Sequence, residues 1–218
     1  MSQIDWLSQF LKIVTVTGQL EVRCAYGAPW RVAWPESAAH EIPYHMVLKG
    51  RAILEDPEKK TARELVEGDI VLLPSGSAHV LHDGSGRAPA PTHNSRGSAG
   101  WLLSQNERQG EQLDMLCGHF FITSPHDRLI RNYLPTNFVI HTANAGDEAG
   151  SGSAASHLAN LVRLMRVEST SDALGGNAIL NALSSALFTL VLRAASESDQ
   201  APAGLLALAG HPRPAPAI

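Results

Sequence analysis

Cysteine is scarce in this chain: Cys24 and Cys117 are the only two among 218 residues. That is too few for the disulfide-stapled scaffold of a small secreted protein. Basic runs are missing as well. No five-residue window is dominated by lysine or arginine, and the formal charge is −4 with a pI near 6.2. Gripping nucleic acid needs a concentrated positive surface, so this piece is not expected to bind DNA by itself. The N-terminal MSQIDWLSQFLKIV lacks a basic lead segment and carries Asp5 and Gln9 within its apolar stretch. It does not read as a signal peptide, and no apolar run is read as approaching the roughly 20 residues of a membrane span. The expected location is the cytoplasm.

What is present is ordinary globular composition, 44% apolar and 17% charged, in a chain long enough for one good core and a smaller appendage. Trp6, Leu7, Phe10, Leu11 and Val14 fall at helical spacing and predict a short helix with Asp5 near its start. From Thr15 the texture changes. Leu20–Tyr26, Trp30–Trp34, His45–Leu48, Ala52–Glu55, Ile70–Leu73, His79–His82 and Leu113–Thr123 are β-rich runs punctuated by glycine and proline. That spacing predicts an all-β sandwich or barrel rather than βαβ units. Asp83–Gly100, rich in Gly, Ser, Pro and Ala, reads as a long mobile loop. After a last extended run, Leu134–His141, the pattern turns helical. Leu158, Leu161, Val162 and Met165 mark one helix; Leu180, Leu183, Leu187, Leu190 and Val191 mark another beyond Gly175–Gly176. The expected division is a barrel with a short N-terminal helix over 1–142, a helical hairpin over 143–200 and a proline-bearing linker over 201–218.

The sharpest local signal is EGDIVLLPSGSAHVLHD. Gly68–Asp69 makes a tight turn, Pro74 ends a buried strand, Gly76 permits a reversal and His79 opens the next strand. The spacing G-x5-P-x-G-x2-H matches the second cupin motif, with Asp83 where that motif has Asn. The first motif is degraded. HEIPYHMVLKG offers His45, but Gly50 stands where a metal-dependent cupin carries Glu, and His40 lies across Pro43. The carboxylate-plus-histidine set of a cupin dioxygenase or isomerase is therefore not spelled out, although Glu55 and Glu64 are candidates for a displaced ligand. His45, His79 and Cys117 remain as a candidate metal set, suited to zinc first and then copper or nickel. The competing reading is two hydrogen-bonded interior histidines and two small buried thiols.

APWRV, YHMVLKGRAIL, LVEGDIVLLPSGSAHVLHD, LCGHFFIT, LFTLVLRA and HPRPAPAI follow one another in order. From about Ile4 to Pro212 the chain resembles the cupin-type ligand-binding domain of AraC-family transcription regulators. His45, His79 and Cys117 with Gly118 fall on that family's recurring positions. The resemblance implies a regulator rather than an enzyme: a small-molecule effector in the barrel, a homodimer through the hairpin, and DNA contact only through a helix-turn-helix domain outside this chain. Phe188, off the main stripe of the second helix, fits a dimer contact or core packing against the barrel, so the dimer expectation rests mostly on the resemblance. Cys24 and Cys117 are also the minimum set for a redox switch, and His119, two residues from Cys117 on the same strand face, is a further effector candidate. Neither Ser–His–Asp nor Cys–His catalysis is indicated, because the serines sit in loops without an elbow motif.

Overall fold

A computed structural model describes residues 5–97, 100–142, 153–171 and 173–197; the 201–218 linker and most of the 143–153 segment lie outside them. The chain begins with helix α1 (Trp6–Ile13). Its cap is local chemistry: the Asp5 carboxylate accepts the Ser8 backbone N–H at 3.0 Å, satisfying one of the donors a helix start leaves open. The strands are β1 (Val16–Gly27), β2 (Arg31–Trp34), β3 (Glu41–Lys49), β4 (Arg51–Asp56), β5 (Thr61–Val66), β6 (Asp69–Leu72), β7 (His79–His82), β8 (His93–Arg96), β9 (Leu102–Gln105), β10 (Gln112–Ile122) and β11 (Phe138–His141). Helix α2 (His126–Tyr133) precedes β11, and α3 (Ala154–Glu168) and α4 (Gly176–Glu197) form the hairpin.

Two sheets face each other. The larger runs β11-β6-β3-β10-β1-β9-β8 and the smaller β2-β7-β4-β5. Between them lie Cys24, Tyr26, Trp30, Val47, Leu54, Val71, Leu81, Met115 and Cys117. The outer face of the large sheet carries a second core shared with the helices, including Leu20, Tyr44, Met46, Leu116 and Phe120 against Leu158, Leu180, Leu187 and Phe188. β3 and β10 are thus buried on both faces, which is why their sequences read as nearly continuous apolar runs.

β1 changes sides partway along. Leu20 pairs with Gly118 and Val22 with Cys117, leaving Glu21 as a bulge. Because side chains alternate with period two, one extra residue reverses every face beyond it. Before the bulge Val16 and Leu20 meet the helices; after it Cys24 and Tyr26 enter the barrel. The stretch before the bulge is stitched to α4. The N–H of Gly18 donates to Ser185 Oγ at 2.8 Å, and that of Leu20 to Asn181 Oδ1 at 3.1 Å. A Cβ on Gly18 would stand 2.4 Å from the Ser184 backbone carbon, so the helix sits this close only because residue 18 has no side chain.

Several expectations change here. Asp83–Gly100 is not a loop throughout: it contains β8, paired with β9. β5 and α2 carried no legible signal, and Glu64 lies in β5. Phe188 is fully buried, its ring 5.1 Å from that of Phe120, so it belongs to the core and lends nothing to a dimer face. By length and composition α4 is apolar enough to cross a membrane, contrary to the sequence reading. Here its apolar side chains pack on the sheet and on α3 instead.

Candidate functional site

The strand register brings the candidate residues to one row. On the inner face of the large sheet Cys117 lies opposite His45, and His45 opposite Val71. On the small sheet His79 lies opposite Trp34. Across the interior His45 Nε2 and His79 Nε2 meet at 2.7 Å, both rings buried. The proton positions follow from the partners. The Ser77 carbonyl, 2.9 Å from His79 Nδ1, can only accept, so His79 carries its proton on Nδ1. Its Nε2 is then a lone pair, and His45 Nε2–H donates to it. His45 Nδ1 is left as a bare acceptor, buried without a partner among the described residues.

Burial holds both imidazoles neutral. It depresses His45 well below the ordinary 6.5, with repulsion from His79 and His119 adding to the effect. It depresses His79 as well, against the Ser77 carbonyl, which favours the protonated ring. Trp34 closes this corner, its ring 5.1 Å from that of His45 and 6.3 Å from that of His79, nearly parallel to the latter. The Trp34 indole Nε1–H, a donor, is likewise buried without a partner among the described residues. A bare acceptor and a bare donor therefore border the same histidine pair.

Cys117 does not complete a metal centre. Its thiol neighbours that of Cys24, diagonally across the β1–β10 ladder. The Cys117 thiol tips Cys24 toward the thiolate, while burial pushes Cys117 well up. Both thiols are free. No group of three His, Cys, Asp or Glu among the described residues stands in metal-holding geometry. Two imidazole nitrogens sharing a tetrahedral zinc at about 2.0–2.1 Å would be about 3.3 Å apart, so the 2.7 Å contact is a hydrogen bond that a metal would have to open. As they stand, these residues do not fit a metal centre. Glu55 and Glu64 are not near the pair either: they face Arg31 and Arg51 in exposed ion pairs.

His119 belongs to a different cluster, at the rim of the barrel. Its Nδ1 lies 2.9 Å from Glu21 Oε2 and its Nε2 3.3 Å from Ser37 Oγ. Glu21 reaches it because the bulge turns that residue inward; Ser37 lies in the β2–β3 loop. The Arg131 guanidinium fastens that loop through the carbonyls of Ala38, Ala39 and Ser75. Trp34, Ser37, Glu21 and Arg131 were not singled out in the sequence. Trp34 gains its place from a register, Glu21 from a bulge, and Ser37 and Arg131 from the packing of a loop against α2; no local spacing reports any of these.

The two facing sheets and the His79 turn define a cupin-type barrel, and the Cupin_6 family profile, described as Cupin, matches residues 5–197. The chain belongs to the Cupin family. Among named proteins it is 26% identical over 204 residues to an uncharacterized HTH-type transcriptional regulator of Haemophilus influenzae, covering 93% of this chain and 63% of that protein. It is 28% identical over 199 residues to the HTH-type transcriptional regulator MtrA of Neisseria gonorrhoeae, covering 90% and 60%. The chain thus spans a little over half the length of these curated relatives. Among solved structures, ToxT of Vibrio cholerae O395 is similar at 14% identity and a TM-score of 0.38, covering 83% of this chain and 54% of that one. YhaK of Escherichia coli is similar at 12% and 0.34, covering 55% and 40%.

Proposed function

We propose that this chain is the effector-sensing domain of an AraC-type transcription regulator. Its barrel takes a small molecule at the His45–His79 pair, its α3–α4 hairpin serves dimerisation, and DNA contact comes from a domain beyond this chain. The observation that carries the reading is the neutral, buried histidine pair with an open acceptor on His45 Nδ1 and an open donor on Trp34 Nε1. Buried polar groups without partners cost about 1–3 kcal/mol each, and a ligand that both donates and accepts relieves that cost. The interior residues around the pair are apolar or neutral, which favours an uncharged effector over an anion. The route to the hairpin is short, because β1 lines the barrel with Cys24 and Tyr26 and is bonded to α4 through Gly18 and Leu20.

Zinc, copper or nickel is the competing effector. Elemental mass spectrometry on the purified chain, with His79→Ala as control, decides between them. One metal ion per chain, lost in the control, assigns the pair to a metal; a metal-free chain whose thermal stability rises with a neutral hydroxylated ligand, and not in His79→Ala, supports the reading. Failure of every such ligand to shift the chain would overturn it.

A second sensing element is favoured by the placement of two free thiols, Cys24 and Cys117, as diagonal neighbours on β1 and β10. A peroxide removing two electrons and two protons from the pair would leave a disulfide and water. Intact mass after mild peroxide treatment, compared with Cys24→Ser, tests it; two unchanged thiols sink the idea.

A further inference from the structure

Independently of effector sensing, we propose that Ser37, His119 and Glu21 form an acyl-transfer site at the barrel rim, with Ser37 as nucleophile toward small neutral esters. The three residues are connected in one line. Glu21 Oε2 can only accept, so at 2.9 Å it holds the proton of His119 on Nδ1. That leaves His119 Nε2 as a lone pair aimed at Ser37 Oγ, 3.3 Å away. This is the tautomer a general base needs, and the carboxylate that enforces it also stabilises the imidazolium once the ring takes a proton. The chain order Glu, Ser, His hides the arrangement in the sequence, as expected when geometry rather than position defines such a triad.

Access and charge agree with the assignment. Ser37 is half-exposed in its loop, and the His119 side chain is only 15% exposed while that of Glu21 is 33% exposed. The nucleophile therefore meets solvent while its base is sheltered. Arg131 lies beside it. A Cβ placed on Gly76 would come 3.0 Å from Arg131 Nη2 and 3.4 Å from Ser37 Cβ, so guanidinium and serine border the same glycine. Three hydrogen bonds to loop carbonyls leave two of the five guanidinium N–H groups uncommitted within the described residues. A positive charge at that spot favours the negative oxygen of a tetrahedral intermediate.

The step balances without any further reagent. Ser37 Oγ bonds to the ester carbonyl carbon as its proton passes to His119 Nε2, and the negative oxygen forms beside Arg131. Collapse breaks the bond to the alcohol, which leaves with the proton from His119. Water then attacks the acyl–Ser37 ester with His119 again as base, releasing the acid. Ser37 and His119 are the catalytic residues; Glu21 is a positioning residue.

The test is p-nitrophenyl acetate on the purified chain, read by nitrophenol release and by peptide mass mapping of the acetyl adduct. The expected result is an adduct on Ser37, abolished by Ser37→Ala, with release slowed about 100-fold or more in His119→Ala. Glu21→Gln should slow release while Glu21→Asp restores part of it, a rescue that a merely structural carboxylate would not give. Unchanged thermal unfolding of Ser37→Ala secures the comparison, since this loop side chain carries no core packing. Release unaffected by Ser37→Ala, or an adduct on another residue alone, overturns the proposal.

Discussion

On β3, Tyr44, Met46 and Leu48 point out to the helices while His45 and Val47 point into the barrel. The two faces of the same large sheet do different work. The outer core is built mainly of Leu, Phe, Ile, Val and Met; a buried polar contact there, Tyr44 Oη to Ser184 Oγ at 2.8 Å, is closed between its own partners, and Trp101 Nε1 at its edge is open among the described residues. The inner core mixes apolar side chains with two thiols, two imidazoles and the indoles of Trp30 and Trp34, and at its centre His45 Nδ1 and Trp34 Nε1 lack partners among the described residues. The difference sets a face packed for stability against the face that carries the proposed effector site, within one strand. The outer face holds the hairpin down by burial, at about 1.5–3 kcal/mol per large side chain. The inner face keeps groups that packing alone does not reward.

The sharpest way to break this contrast is on the outer face. Phe188→Ala removes a fully buried ring stacked edge-on against Phe120 and is expected to cost about 3–5 kcal/mol in urea denaturation. A loss below 1 kcal/mol would mean the hairpin does not depend on that core. On the inner face, His79→Leu leaves the buried His45 Nε2–H without its acceptor, and the expected loss is smaller, about 1–3 kcal/mol. Adding His45→Leu should recover part of that loss, because no polar group is then stranded; strict additivity would argue against the paired hydrogen bond.

A pH series separates the faces next. Both imidazoles are depressed below 6.5 in the folded chain by burial, so below that pH the unfolded chain binds more protons. Their contribution to stability is complete above pH 6.5 and is lost as the pH falls from there toward the depressed folded values, by up to about 1.4 kcal/mol per pH unit for each ring. The double leucine variant should flatten that slope, whereas Phe188→Ala should keep it. The smallest effect is expected outside both faces. Glu55→Gln breaks only exposed contacts with Arg31 and His82 and should change stability by about 0–1 kcal/mol.

Much of the barrel was legible because its strands announce themselves twice, by β-rich composition and by the turns between them. Gly68, Pro74, Gly76 and His79 fall in their expected roles: Gly68 and Gly76 have positive φ, Gly68 turning β5 into β6 and Gly76 lying between β6 and β7. The hairpin was legible from its apolar spacing, with Gly175, at φ 82°, in the turn. The misses have a common cause. β8 is exposed at all four residues and β5 buries only Leu65, so neither strand carries the apolar alternation by which strands are read. In α4 the stripe was visible, yet for Phe188 beside it the sequence left a dimer contact and core packing both open, and the structure buries it. A helix wedged between α3 and the sheet buries a wider arc than one stripe.

The candidate site divides along the same line. Composition, turn chemistry and hydrophobic period by themselves determined the β-rich barrel segments, the helical hairpin and the placement of His45 and His79 on strands, since each depends on neighbours along the chain. Only the tertiary structure decided that His45 faces His79 from the opposite sheet, that Cys117 turns to Cys24 rather than to the histidines, and that Glu21 and Ser37 reach His119. Those meetings depend on sheet packing, on register and on one bulged residue, and a period of two states which face a side chain takes without stating what waits across it.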